Sequence, residues 1–139
     1  MNYEINPLKQ VGSIKFGQNR TKVRNNIKQP YKEFKKSVMS KTTTDDFGQF
    51  HVFYNTQNKV EAIEFFNCDA VLKLDGCNLF ALPVKDLEAF LRHRDEAIER
   101  DVDRLTSHLL GLTVYVPELD VSQNAIIGSI TVFQAGYYT

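Results

Sequence analysis

Residues 50–66 read FHVFYNTQNKVEAIEFF, and this stretch decides the fold. Phe50–Tyr54 and Lys59–Phe66 are rich in the β-branched and aromatic residues that strands favour, with polar residues between them. The intervening segment, NTQN, has the composition of a turn. We therefore predict an antiparallel β-hairpin with a short loop over residues 50–66.

Further strands are predicted on both sides of this hairpin. Upstream, residues 11–17 and 31–37 indicate short extended segments, and residues 39–48, rich in Ser, Thr, Asp and Gly, indicate a loop. Downstream, residues 109–118 and 125–134 are rich in Val, Ile, Thr, Tyr and Phe. This composition predicts two strands that are long enough to lie in the middle of a sheet.

Two segments have the periodicity of helices. Residues 19–28 begin with Asn19, a good N-cap, and place Val23 and Ile27 on one face. Residues 84–104 follow a proline that suits the first helical turn, and they predict one long helix or two helices with a break near Arg94. The apolar stripe of this second segment consists of Val84, Leu87, Leu91, Ile98, Val102 and Leu105.

The order of these elements predicts one α+β domain over residues 1–139. A chain of 139 residues, 42% of them apolar, is long enough to bury a core without disulfides or metals. Hairpins dominate, and the helices fall between groups of strands. We therefore expect an antiparallel sheet of hairpins with helices packed on one face.

A spaced pattern of four residues precedes the hairpin. Gly17 is followed by Val23, by Ile27 and then by Pro30. This pattern resembles the opening of the SmpA/OmlA family of small outer-membrane lipoproteins and of the related β-lactamase-inhibitor-like fold. The resemblance covers residues 14–66 and implies a helix-on-sheet scaffold whose relatives bind other proteins, without catalytic residues. No lipidated cysteine opens the chain, so a membrane anchor is not implied.

The formal net charge is zero, but the charges are unevenly distributed along the chain. Residues 1–41 contain ten Lys and Arg against two Asp and Glu, a balance of +8. Residues 42–139 contain seven against fifteen, a balance of −8. The basic third favours an acidic partner; the alternative, which we prefer, is that the two regions meet in ion pairs.

Neither a membrane protein nor a secreted protein is expected. No apolar run approaches the roughly 18–20 residues that cross a bilayer, and the first residues lack a basic start followed by an apolar stretch. Cys68 and Cys77 lie nine positions apart, which is typical of free thiols rather than of a redox pair or a zinc site. We expect a cytoplasmic protein with no membrane partner.

The signatures of common enzymes are missing from the sequence. H-E-x-x-H, G-x-S-x-G and a phosphate-binding glycine loop do not occur. Neither His93 nor His108 has a carboxylate at the spacing of a metal motif. We therefore expect no enzyme, no catalytic residue, no cofactor and no metal site.

The best polar cluster surrounds the hairpin and is our candidate binding site. It consists of Asp45, Asp46, His51, Glu61 and Glu64. The hairpin would bring His51 near Glu61 or Glu64 across the strands. Because side chains alternate along a strand, Glu61 and Glu64 would point to opposite faces unless a bulge intervenes. The simpler interpretation is a solvated sheet face beside an Asp-rich loop.

A scaffold without enzyme signatures and with charged regions of opposite sign predicts a protein-binding module. Its specific form would be an immunity-type inhibitor of a toxin, since an acidic surface from Asp45 to Glu64, or along the predicted helix 84–104, would suit a basic nuclease. Alternatives are a ligand-binding domain or enzyme with a pocket between helix and sheet, and, least favoured, nucleic-acid binding through the basic third. A homodimer formed through an edge strand at 109–118 or 125–134 is a further alternative.

Overall fold

The computed structural model describes residues 2–122 and 124–138. Within them lie thirteen strands and two α-helices. The strands are β1 (Asn2–Asn6), β2 (Gln10–Val11), β3 (Ile14–Lys15), β4 (Lys32–Phe34), β5 (Thr44–Asp46), β6 (Phe50–Tyr54), β7 (Val60–Phe66), β8 (Val71–Leu74), β9 (Cys77–Asn78), β10 (Glu99–Arg100), β11 (Arg104–Ser107), β12 (Leu112–Tyr115) and β13 (Ser129–Phe133). The helices are α1 (Arg20–Ile27) and α2 (Val84–Arg94), and residues 79–81 form one 3₁₀ turn.

Eight strands form a large antiparallel sheet in the order β10-β11-β12-β13-β7-β6-β5-β4. The predicted hairpin is confirmed: β6 and β7 pair directly, and the Asn55 side chain accepts hydrogen bonds from the backbone N–H groups of Gln57 and Lys59 in the turn. The loop predicted at 39–48 is partly wrong, because Thr44–Asp46 forms β5.

The large sheet has an apolar inner face. Its inward side chains alternate along each strand with side chains on the other surface, which we call the outer face. The inner face joins the main core through Phe50, Val52, Tyr54, Val60, Ile63, Phe65, Leu105, Leu112, Val114, Ile130 and Val132. Val23 of α1 and Leu87 and Leu91 of α2 belong to the same core. One contiguous core therefore includes residues of both helices and of this sheet.

A second, five-stranded sheet has the order β3-β2-β1-β8-β9. Its β1 runs parallel to β8, although the two are far apart in sequence. Tyr3 of β1 contacts the rings of Phe50 and Phe65 at centroid distances of 5.4 and 5.0 Å, which ties this sheet to the large one. Residues 11–17, predicted as one extended segment, instead contain the turn between β2 and β3, where Gly12 has a φ of +56°.

The first predicted helix is confirmed over Arg20–Ile27. The Asn19 side chain accepts a hydrogen bond from the N–H of Thr21, as an N-cap does. The helix ends at Lys28, which takes a left-handed conformation and donates its N–H to the carbonyl of Arg24. The second predicted helix is shorter than its apolar stripe: α2 ends at Arg94, the position where a break was expected.

The end of α2 is stabilised by a buried polar contact. The carboxylate of Asp95 accepts hydrogen bonds from the N–H of Ala97 at 2.9 Å and from the hydroxyl of Ser107 at 2.7 Å. These bonds turn the chain into β10 and β11, so that Leu105 reaches the core from a strand and Val102 is exposed. The prediction of a single helix over residues 84–104 is therefore wrong, because the hydrogen bonds to Asp95 stabilise the turn at which α2 ends.

The two predicted long strands are shorter than expected and lie in the interior of the sheet. Residues 109–111 form the turn between β11 and β12, where Gly111 has a φ of +68°, and β13 covers only Ser129–Phe133. Both β12 and β13 have neighbours on each side. Neither strand therefore offers the free edge that dimerisation through them would need.

The described part of the chain is mostly sheet with two helices, which agrees with the α+β class in its coarse form. Whether the helices pack on one face, and whether the chain is one domain, stay predictions. Neither of the two helices, among the residues described, is long and apolar enough to cross a membrane.

Candidate functional site

A continuous row of polar side chains crosses the outer face of the large sheet. The strand registers align one residue from each of its eight strands in this row. The row consists of Lys32, Asp46, His51, Glu64, Thr131, Thr113, Thr106 and Glu99. Three of the five predicted site residues, Asp46, His51 and Glu64, are consecutive members of it. We call this set the polar row.

His51 lies at the centre of the aromatic part of this face. Its ring contacts Phe34 and Phe66 edge-on, at centroid distances of 5.1 and 4.7 Å. Its Nε2 lies 3.3 Å from Oδ1 of Asp46 on the neighbouring strand, and Glu64 is its cross-strand partner on the other side. The hairpin thus brings His51 beside one predicted carboxylate and opposite another, as the sequence indicated.

A β-bulge brings a fourth predicted residue, Glu61, to the same face. Phe53 pairs with Ala62 and Tyr54 pairs with Val60, so Glu61 is an extra residue in β7. Side chains alternate along a regular strand, so Glu61 and Glu64 could share a face only if a bulge intervened. The bulge at Glu61 meets this condition. Burial raises the pKa of Tyr137 to about 12, and the charges of Tyr138, Glu61 and Glu64 add to that rise. Both carboxylates therefore lie near this hydroxyl.

The segment 134–138 folds over the outer face and covers part of it. Tyr137 packs on a small cluster of Phe53, Ala62 and Phe133. Its ring stacks on that of Phe133 at 5.7 Å, and Tyr138 meets Phe133 edge-on at 4.9 Å. The outer face therefore combines polar groups with an ordered aromatic surface.

Two adjoining cavities open on this face. One, of about 270 Å³, is lined by Glu64, Thr131 and other residues of β12, β13 and the 103–104 segment. The other, of about 470 Å³, contains Glu99 and His108, whose side chains are in contact. They share Arg104, Thr113 and Tyr138. Glu64 is held in place by the Ser129 hydroxyl, which donates to its Oε2 at 2.8 Å.

Asp45 does not belong to this surface. It lies on the inner side of β5 and is fully buried. Arg24 of α1 donates to both of its oxygens, from Nε at 2.8 Å and from Nη2 at 2.6 Å, and the Tyr54 hydroxyl donates to Oδ2 at 2.8 Å. The structure therefore separates Asp45 from the four other predicted site residues, because adjacent strand residues face opposite sides.

This buried cluster joins the basic and acidic regions of the chain. Arg24 also binds Glu33 at 2.9 Å, and the guanidinium of Arg20 lies 4.1 Å from the centroid of the Tyr54 ring. The hydrogen bonds that Arg24 donates to Asp45 raise the pKa of Arg24, and burial raises the pKa of Tyr54. Arg20 and Arg24 of the basic third thus lie beside one carboxylate of the acidic remainder, at 3.9 and 2.6 Å. This contact is buried, whereas the ion-pair interpretation expected contacts at the surface.

The sequence alone did not indicate the other outer-face residues. Thr106, Thr113 and Thr131 have no motif, and their alignment depends on the register between β7 and β13. The only available signal was the polar alternation within each strand. Arg104 and Tyr138, which both cavities share, carried no signal in the sequence.

The outer face brings several kinds of polar and aromatic group together. It presents carboxylates, imidazoles, hydroxyls, a guanidinium and aromatic rings on one broad surface. Over residues 2–122 and 124–138, no group of three or more His, Cys, Asp or Glu side chains is arranged to hold a metal ion. No family model, no curated protein and no solved structure matches the chain. The resemblance of residues 14–66 to the SmpA/OmlA family therefore stays a prediction.

Proposed function

We propose that this chain is a non-catalytic, cytoplasmic protein-binding module, in its specific form an immunity-type inhibitor, and that the outer face contacts its partner. The observation that carries the proposal is the polar row with its flanking aromatic residues. Protein interfaces are enriched in aromatic residues and Arg, within a surface of ordinary overall polarity. A face that combines His51, Tyr115, Tyr138 and Arg104 with a row of hydroxyls has this composition.

The contacts of both helices support a free outer face. Arg24 of α1 binds Asp45 on the inner side of β5, and Glu88 of α2 binds Arg100 at 2.5 Å, on the inner side of β10. We infer from these contacts that both helices lie against the inner face. The outer face is then left to the segment 134–138 and to a partner.

The electrostatics of the face suit a charged partner. Glu61 and Glu64 both lie near Tyr137 on this face. Glu99, Asp101 and Asp103 line the two cavities together with Arg100 and Arg104. Complementary charge accelerates association and gives it a salt dependence. The inhibitor form of the proposal therefore expects a basic partner, such as a nuclease, whose association rate falls as salt increases.

A second candidate function is the binding of a small ligand between helix and sheet. A cavity of about 560 Å³ lies between α2 and the segment 119–125, and its lining includes Val84, Leu119 and the Glu88–Arg100 ion pair. Its volume is within the range of ligand sites, which are commonly 300–1,000 Å³. This candidate would be favoured if the protein captured no partner and bound a small molecule in this cavity.

The experiment that tests the proposal compares matched threonine variants. Thr131→Arg and Thr106→Arg place a long cation on the polar row, whereas Thr21→Arg places one on the exposed surface of α1. The tagged protein and each variant are used to capture partners from lysate of the source organism. We expect one stoichiometric protein with the wild type and Thr21→Arg, and its loss with the two outer-face variants.

The inhibitor form needs a second measurement. The captured partner, once purified, should lose its own activity when the wild-type chain is added, and Thr131→Arg should restore that activity. A partner that binds Thr131→Arg and Thr106→Arg as well as the wild type would reject the outer face as the binding surface. Nuclease-sensitive material in place of a protein would favour the nucleic-acid alternative.

A further inference from the structure

The turn between β4 and β5 exposes two apolar side chains. Val38 and Met39 are 93% and 84% exposed, the highest values among the exposed large hydrophobic residues of the described chain. Both belong to residues 35–41, KKSVMSK, which we call the apolar turn. Single exposed apolar residues are common, but two adjacent ones form a small apolar patch, and contiguous apolar patches mark interaction sites.

Hydrogen bonds within the apolar turn fix its conformation. The Ser37 hydroxyl accepts from the N–H of Met39 at 3.2 Å, and the Ser40 hydroxyl accepts from the N–H of Ser37 at 3.1 Å. The N–H of Ser40 also donates to the Ser37 carbonyl at 3.1 Å. The tip is therefore pre-organised, and a partner would not have to order it on binding.

Three lysines surround the exposed pair. Lys35, Lys36 and Lys41 give the turn a charge of +3, and none of them is used by the ion pairs described for residues 2–122 and 124–138. The ammonium of Lys36 lies 3.8 Å from the centroid of the Phe53 ring. Phe53 belongs to the outer face, so the apolar turn is continuous with the candidate site.

We propose that the apolar turn is a second contact element of the outer face, and that Val38 and Met39 enter an apolar pocket with an acidic rim on the partner protein. The inference rests on the proposed function, because it assigns the same partner. Charge complementarity selects the rim: the lysines around the apolar tip favour a local ring of carboxylates on the partner, while the acidic groups of the outer face favour basic groups elsewhere on it. The side chains that contribute most to binding sit in desolvated pockets, surrounded by contacts that exclude water.

Other partners fit these side chains less well. Single-stranded nucleic acids are bound by stacking on aromatic rings, and the tip has only aliphatic and thioether groups. A membrane surface could attract three lysines, but stable attachment takes a larger apolar element or a second anchor. Continuity with the folded outer face favours a protein, which can contact the turn and the sheet together.

A random peptide library displayed on phage provides a probe that needs no known partner. We expect the wild-type protein to select peptides in which bulky apolar residues are flanked by Asp and Glu. The double variant Val38→Ser/Met39→Ser should bind those peptides about tenfold more weakly or worse, as expected for the loss of anchor side chains. The double charge reversal Lys35→Glu/Lys41→Glu should weaken them similarly, and more so at low salt.

The matched control is Val121→Ser, which removes another side chain that is 82% exposed but lies outside the turn. This variant should bind the selected peptides like the wild type. All substituted side chains are exposed, so folding is not at risk. Failure to select acidic peptides, or equal binding by Val38→Ser/Met39→Ser, would overturn the proposal. So would binding to phosphatidylcholine–phosphatidylserine vesicles, or to nucleic acid, that disappears in the same variant while peptide binding persists.

The captured partner separates this inference from the proposed function. If Thr131→Arg loses the partner and Val38→Ser/Met39→Ser retains it at wild-type affinity, the outer face stands and the apolar turn is rejected. If both lose it, both assignments are supported. If neither variant loses the partner, the outer face is rejected as the binding surface, and the apolar turn is rejected as its second contact element.

Discussion

The hydroxyl of Tyr54 donates a hydrogen bond to Oδ2 of Asp45 at 2.8 Å, and both side chains are buried. The same oxygen accepts from Arg24, so the carboxylate joins a strand to a helix in the interior of the protein. A buried charge that loses its partner is strongly destabilising, because the remaining group has no water to replace it. This contact is therefore a sensitive point of the fold.

Replacing Asp45 with Asn should lower the free energy of unfolding by roughly 3 kcal/mol. The amide keeps the shape but leaves the Arg24 guanidinium without its main counter-charge; Glu33 and partial exposure of Arg24 limit the loss. The measurement is urea denaturation at neutral pH. Asp46→Asn is the matched control, and we expect a change below about 1 kcal/mol because Asp46 is partly exposed. Equal effects of the two substitutions would contradict the buried ion pair.

Alkaline pH should destabilise the protein in part through Tyr137. Burial raises the pKa of this hydroxyl from 10.0 to about 12 in the folded state. The folded state thus holds the proton more tightly than the unfolded chain, so this contribution to stability is complete below about pH 10 and is lost as the pH rises toward 12. We expect Tyr137→Phe to show a smaller loss of stability over that interval, measured by denaturation at several pH values.

The control for this pH dependence is Tyr115→Phe, which removes a hydroxyl from the same face. Above pH 10, Tyr115→Phe should lose as much stability as the wild type does. Tyr54, whose pKa burial also raises, is present in both variants, so some alkaline destabilisation should persist. Identical alkaline profiles for Tyr137→Phe and the wild type would show that the Tyr137 hydroxyl is not buried as described.

Deleting Glu61 should preserve the fold. Val60 would then precede Ala62 directly, and the two would keep their inward and outward directions in a regular strand. The backbone hydrogen bond from Gln134 to the Glu61 carbonyl would be lost, which costs about 1 kcal/mol. Deleting Glu64 instead would turn Phe65 to the outer face and should abolish folding. Thermal unfolding, monitored by circular dichroism, distinguishes the two deletion variants. If the variant that lacks Glu61 is unfolded, the bulge is refuted.

Gly111→Ala should destabilise the protein by about 2–5 kcal/mol, because the cost of a left-handed conformation in alanine adds to the cost of a steric clash. A Cβ at this position would lie 2.5 Å from Cδ2 of Leu8 and 2.7 Å from the carbonyl oxygen of Phe133. Gly76→Ala is the control: Gly76 also has a positive φ, but nothing lies within 4 Å of its Cβ position. Urea denaturation should show a cost near 1 kcal/mol for the control. Similar costs would mean that Leu8 is not packed on this turn.

Local signals explain which elements the sequence predicted well. The hairpin over 50–66 and helix α1 each depend on neighbouring residues: a polar turn between strands, and an Asn N-cap before an apolar face. Strand β5 was missed because Thr44–Asp46 is polar, and its burial depends on Arg24 from a distant helix. The predicted second helix extends beyond the end of α2 because Ile98 and Leu105 fit the helical spacing. In the structure both residues reach the core from non-helical backbone.

The candidate site could be predicted only in part. Neighbouring strands brought His51 and Glu64 together as expected, since a hairpin fixes its own register. The polar row beyond Glu64 depends on β13 pairing with β7, a non-local contact that no alternation pattern specifies. The sequence does carry one signal of the bulge: Val60, Ile63 and Phe65 all face the core, and the spacing of three between the first two indicates an extra residue at Glu61.

Strand β13 occupies the middle of the large sheet, between β12 and β7, although the ribosome makes it after all seven of its companions. Until residues 129–133 emerge, β7 and β12 present open edges, and the nascent sheet exists as two separate halves. Unsatisfied strand edges recruit other chains, and non-local pairing is slow. We therefore expect the nascent chain to be more prone to aggregation before β13 enters the gap than after it.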